Sequence, residues 1–319
     1  MSEIASGRWT MATGKSSNKV IYAALAGNLL VAATKFWAAG WTGSSAMLSE
    51  GVHSLVDTSN QGLLLYGIHR AARPPDAKHP LGHGRELYFW SFIVALLIFS
   101  LGAGISFYEG IAHIQHPAQI TDPHVNYIVL ALSAVFEGGS WLVAFREFES
   151  ERGDFGYVEA ATRSRDPATF IVLFEDTAAL IGIAIAFAGT FLAAQFAAPV
   201  LDGAASIGIG LALAATAIFL AREAKGLLIG EPARESVRRS LQRIAQEQLG
   251  VEKAFNLVTV HMAPDQIVVA LDLDFSDELS AGKIEQVVRA LEQRIKERHP
   301  EVIAVFVKPK AAANTGHDV

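Results

Sequence analysis

Glu50, His53 and Asp57 lie close together in a stretch otherwise apolar enough to cross a bilayer. All three can hold a proton, and each can bind a cation. On a helix, residues three and four apart share a face, so this spacing sets the three in one column. An imidazole and a carboxylate placed in this way supply half of a four-coordinate site for a borderline dication such as Zn²⁺. An ionisable group at membrane depth costs roughly 3 kcal/mol or more on insertion scales, so each of the three calls for a reason.

Two further groups could complete or extend that chemistry. Glu175 and Asp176 sit inside a second strongly apolar stretch, Phe174 to Gly182. Neighbours on a helix point about 100° apart, so one of them faces the first column and the other needs a different partner or a local distortion. Glu137, in Phe136-Glu137-Gly138-Gly139-Ser140, reads either as a ligand or proton carrier or as a packed carboxyl. Asp76, His79 and His83 recur at three- and four-residue spacing, but Pro80, Gly82 and Gly84 argue against a helix there. They form either a loop metal site or a solvated histidine pair. Lys35, near Trp37 and Trp41, reads as a snorkelling lysine beside an interfacial aromatic belt.

The rest of the chain must position these groups. Of its 319 residues 51% are hydrophobic, and mean hydropathy is +0.31, which points to a membrane protein. The net charge of −6 gives no reason to expect nucleic acid as a partner. There is no cysteine, which removes disulfides, iron–sulfur clusters and thiolate zinc sites, so any metal must be held by His, Asp, Glu or backbone oxygen.

Helical spans are expected at roughly 19–40, 45–69, 87–114, 123–147, 168–195 and 201–224. Lys and Arg concentrate in alternate connections: Arg70, Arg73, Lys78 and Arg85; Arg146, Arg152, Arg163 and Arg165; then Arg222, Lys225, Arg234, Arg238 and Arg239. The positive-inside rule then puts both termini in the cytoplasm.

The first residues carry no signal-peptide pattern and read as a short tail. The last part alternates like a small α+β domain, with helices at 234–249 and 280–298, strands at 255–261, 266–275 and 302–307, and an antiparallel sheet. The division expected is a cytoplasmic tail over 1–18, a six-helix membrane domain over 19–228, a cytoplasmic α+β dimerisation domain over 229–310, ferredoxin-like or metallochaperone-like, and a disordered tail over 311–319.

Together these pieces resemble the cation diffusion facilitator family of divalent-metal transporters. His53-x-x-x-Asp57, after Ser49-Glu50-Gly51, resembles that family's span-two metal pair, and His79-Pro80-Leu81-Gly82-His83-Gly84-Arg85 resembles its cytoplasmic loop. Glu175-Asp176-Thr177-Ala178-Ala179 resembles the branch related to zinc transporter 9.

The resemblance implies that His53, Asp57 and Asp176 ligate the transported ion. The family's remaining ligand would fall at Val172, which cannot serve, so the fourth place goes to Glu175, Glu50, Glu137 or water. It also implies a loop site at Asp76, His79 and His83. Phe255, Asn256, Phe306, Val307 and Lys308 stand where some relatives bind metal in the C-terminal domain, so no binuclear site is expected there.

The function expected is efflux of a divalent cation, Zn²⁺ first and Fe²⁺, Co²⁺ or Mn²⁺ as alternatives, in exchange for protons. The protein would be a homodimer in a bacterial cytoplasmic membrane, with no resident cofactor and no enzymatic activity. Metal binding needs neutral imidazole and ionised carboxylate, so metal and proton compete. Glu50 and Glu137 are the candidate accessory or proton-coupling groups. An intramembrane metalloprotease would show H-E-x-x-H, which is absent. A metal-regulated scaffold leaves the buried His53, Asp57 and Asp176 without a purpose, and a passive channel differs in failing to move metal uphill.

Overall fold

The structure is a computed structural model and describes residues 15–152, 156, 157 and 167–310. The expected tails, apart from residues 15–18, lie outside these residues, as do Arg163 and Arg165. The helices of the membrane part are α1 (Lys15–Thr42), α2 (Ser45–Ala71), α3 (Arg85–Leu97), α4 (Gly104–Gln115), α5 (Pro123–Arg152), α6 (Pro167–Phe196) and α7 (Val200–Ile229). A π-helical segment, Ile98–Ala103, joins α3 to α4 as one span. Local chemistry sets the ends. Pro123 and Pro167 open α5 and α6, where the missing N–H costs nothing. Gly43, at φ 71°, ends α1 in the left-handed region that glycine enters freely.

Each of the six expected spans is present as a helix. Among the described residues, however, only four are long and apolar enough to cross a membrane: Arg85–Gln115, Pro123–Arg146, Phe170–Phe196 and Val200–Ile229. By length and apolar composition the count is therefore four, against the six expected. Length is not the reason for α2, which has 27 residues. The polar run from Ser49 to Gln61 dilutes its apolar character. The chain is an α-helical, multi-span membrane protein followed by a small mixed α/β domain.

The chain packs as two compact units. The first comprises residues up to 62, 97–141 and 175–216. Small residues let its backbones touch: a Cβ on Gly110 of α4 would lie 2.8 Å from the Gly203 carbonyl and 2.9 Å from the Ile207 nitrogen of α7.

The second unit comprises 63–96, 142–174 and 217 onward, and includes the small domain: α8 (Glu235–Gln246), β1 (Val251–Ala263), β2 (Gln266–Phe275), α9 (Ala281–Arg298) and β3 (Val302–Pro309). The sheet order is β1-β2-β3, antiparallel between β1 and β2 but parallel between β2 and β3. This corrects the all-antiparallel expectation. α9 lies between β2 and β3 and carries the chain back to the end where β2 began, so β3 starts there and runs the same way. Ile267, Val269, Leu271, Leu273 and Phe275 alternate inward along β2 and pack with Leu241, Leu291 and Ile295.

Gly84 fixes the approach of the polar loop to this domain. A Cβ there would lie 2.6 Å from the Met262 carbonyl oxygen and 2.8 Å from the Ala263 side chain. Gly84→Ala is expected to cost about 1–3 kcal/mol through overpacking, read as a lower unfolding midpoint of the purified protein. An unchanged midpoint would mean the contact is not kept in solution.

Candidate metal sites

In the first unit, α2 presents Glu50, His53 and Asp57 inward, and all are buried. Asn60 continues the column and is also buried. His53 Nδ1 lies 3.3 Å from Asp57 Oδ1 without the geometry of a hydrogen bond. Both ring nitrogens of His53, together with Glu50 Oε1, Asp57 Oδ1 and Asn60 Oδ1, have no hydrogen-bond partner. Buried polar atoms are normally satisfied, and leaving one unmet costs about 1–3 kcal/mol. A row of them on one helix face is what a cation would satisfy.

α6 brings the two adjacent carboxylates to this region by giving each its own partner. Asn60 Nδ2 donates to Glu175 Oε1 at 2.7 Å, and the Ser140 hydroxyl of α5 donates to Asp176 Oδ2 at 2.8 Å. The 100° between neighbouring residues is thus resolved without distortion: Glu175 turns to α2 and Asp176 to α5. Glu137, half-buried on α5, lies within electrostatic reach of Glu50, Asp57, Glu175 and Asp176.

Lys35 does not snorkel. It is wholly buried and donates to Glu50 Oε2 at 3.0 Å and to the Ser54 hydroxyl at 2.7 Å. The other Glu50 oxygen faces Gly182 of α6, where any Cβ would collide with it. Lys35, Asn60 and Ser140 are the residues that sequence reasoning passed over as members of the site. Asn60 falls three residues after Asp57, and Ser140 three after Glu137, so the same spacing rule reaches both.

In the second unit, Asp76, His79 and His83 form a separate cluster between α2 and α3. Their candidate ligand atoms all lie within 4.8 Å of one another, and this is the only such group of three among the described residues. Asp76 Oδ1 is 3.2 Å from His79 Nδ1, and Asp76 Oδ2 is 3.1 Å from His83 Nε2. The turn holds itself open for this: Asp76 Oδ1 accepts from the Lys78 and His79 backbone N–H groups at 2.8 and 2.7 Å, and Gly82 takes φ 85°.

The His79 backbone N–H, ahead of the His83 ring and the Lys78 N–H, pulls the Asp76 carboxyl down to about 2. A depressed carboxyl stabilises the loop fully above its ordinary 3.8, and that contribution is lost as pH falls through about 2. Near neutral pH Asp76 is therefore a fixed anion and releases no proton on binding metal.

The profile of the cation efflux transmembrane domain matches residues 21–229. The chain is similar to the proton-coupled zinc antiporter SLC30A9, mitochondrial, of Xenopus laevis, with 34% identity over 263 residues, 82% of this chain and 47% of that protein. The human protein of that name gives 33% identity with 82% and 46% covered. Metal tolerance protein C4 of Arabidopsis thaliana gives 30% over 268 residues, 82% and 58%. The cation-efflux pump FieF of Escherichia coli gives 24% over 292 residues, 90% of each. The chain spans about half the length of the SLC30A9 proteins it matches.

Proposed function

The chain belongs to the cation-efflux, or cation diffusion facilitator, family, and from that premise we propose that it exports Zn²⁺ from the cytoplasm in exchange for protons. The observation that carries this reading is the unpartnered, buried His53–Asp57 pair on α2. His53 and Asp57 bind the ion, Asp176 supplies a third ligand, and the fourth place falls to Glu175, Glu50, Glu137 or water. Asn60 and Ser140 orient the two α6 carboxylates, as outer partners do in metal sites.

Competition between metal and proton for the same lone pairs couples the two flows. A site reached alternately from either face then exchanges one for the other. The two SLC30A9 proteins carry zinc and proton coupling in their names, which supports this cargo and this exchange. The proposed arrangement has six spans, cytoplasmic termini and a homodimer, in a bacterial cytoplasmic membrane.

Sealed proteoliposomes holding the purified protein test the reading. Zinc should accumulate against its gradient only when a pH gradient is imposed. Equilibration without accumulation would make the protein a channel, and no flux from folded protein would leave a metal-regulated scaffold. Offering Fe²⁺, Co²⁺ and Mn²⁺ beside Zn²⁺ in the same vesicles reads cargo preference.

The loop cluster is proposed as a second, cytoplasmic binding site. Replacing both His79 and His83 by alanine is expected to lower the zinc stoichiometry in calorimetric titration by about one ion per chain, since both imidazole ligands are gone. An unchanged stoichiometry would show that the loop holds no zinc.

A further inference from the structure

A carboxylate from another helix closes the N-terminal turn of α2. Asp202, in the first turn of α7, is wholly buried. Its Oδ2 accepts from the Ser45 N–H at 2.6 Å, the Ser45 hydroxyl at 3.0 Å and the Ala46 N–H at 3.2 Å. Its Oδ1 accepts from the Ser44 hydroxyl at 2.7 Å, and the Thr190 hydroxyl of α6 stands 3.5 Å away. Ser44 Oγ in turn accepts from the Met47 N–H at 3.1 Å. The first amides of a helix have no partner within it, and a carboxylate there is favoured by charge-assisted hydrogen bonds and by the helix dipole. One turn further, the Ser49 and Ser206 hydroxyls are hydrogen-bonded to each other, and the Ser206 hydroxyl approaches the Ser106 carbonyl at 2.9 Å.

This tie sits where the chain is sealed. Ser44, Ser45, Ala46, Met47, Ser49 and Glu50 are all buried, with Leu48 half-buried, so the first turn of α2 shows no open face. Toward the other end of α2, Leu65 and Tyr66 are exposed. The metal column begins at Glu50, directly behind the sealed turn.

We propose that Asp202 is a latch. It holds the N-terminal end of α2 on α7, closes the metal site on that side, and releases when the ion leaves by that route. The proposal rests on the transport reading given above. Asp202 touches no ion and acts by positioning α2. Polar ties suit a joint that opens to water, because each donor and acceptor freed there finds a water partner at small net cost.

The absence of native cysteine makes an introduced thiol a sole target. In the full chain in sealed proteoliposomes, Met47→Cys replaces a wholly buried side chain and is expected to react slowly with a membrane-impermeant maleimide. Adding Asp202→Asn, which turns an amide donor toward donors, should raise the labelling rate at least about tenfold. A change of less than about twofold would overturn the latch.

A second arm leaves Asp202 intact. Oxidising the pair Ser49→Cys/Ser206→Cys should stop pH-driven zinc uptake, dithiothreitol should restore it, and zinc binding in detergent should persist in both states. Uptake that continues in the oxidised protein overturns the latch. Labelling needs no transport, so it reads the latch separately, whereas absence of uptake in both the parent and the reduced pair overturns the transport reading beneath it.

Discussion

Replacing Asp57 by alanine is expected to reduce pH-driven zinc uptake at least about a hundredfold while the protein stays folded. Loss of an outer partner already costs 10–100-fold in metal sites, and Asp57 is proposed as a direct ligand. Its Oδ1 is buried and without a hydrogen-bond partner, so removal of the carboxylate leaves no donor unsatisfied and should not destabilise the fold. Asp176→Ala should show a comparable loss of transport with one difference: it strands the Ser140 hydroxyl that donates to it. Initial rates of uptake, paired with unfolding midpoints, separate the effects. If Asp57→Ala transports at the parent rate, the ion does not pass through this column.

Lys35→Met is expected to be the most destabilising single substitution in the membrane part. Lys35 and Glu50 are each wholly buried and 3.0 Å apart. Breaking a buried pair from one side costs about 3–5 kcal/mol, because an uncompensated charge remains. Replacing both partners with apolar residues of similar size is often neutral or better. The double variant Lys35→Met/Glu50→Met should therefore recover most of the stability lost by Lys35→Met, as read by denaturant midpoints in detergent. If the double variant is no more stable than Lys35→Met, the pairing is not what holds these helices. Transport by the double variant also tests Glu50: persistence of uptake would exclude it as the fourth ligand.

Residues governed by local spacing were legible in the chain, and those governed by distant partners were not. The 50, 53, 57 column follows from helical period alone, and so does Asn60, which was passed over because an amide was not counted among the charged groups. The pairing of Lys35 depends on a helix packed beside its own, so no window around Lys35 distinguishes it from a lysine reaching for the interface. Asp202 takes its partners from α2, more than 150 residues away in the chain, so no local spacing finds it.

The strands of the small domain announced themselves by alternation, but alternation has no direction. Only the crossover through α9 makes β3 parallel to β2. The apolar count falls short of the six helices for a related reason. Summed polarity across α2 hides the fact that its ionisable groups are gathered on one face.

The π-helical segment between α3 and α4 has a consequence for how this span can change in length. Counted at 100° per residue, the buried positions after the segment, Ser106, Gly110 and His113, drift by about 80° from those before it, Leu87, Ser91, Val94 and Ala95. The wider turn over Ile98–Ala103 is what takes up that drift along the helix. The span thus carries a spare residue. Losing one position within 98–103 would convert the segment to α-helix and keep the register of everything beyond it, whereas the same loss one turn earlier or later would swing His113 about 100° around the helix. Length variation among descendants of this chain should therefore be tolerated at this point and opposed elsewhere along the span.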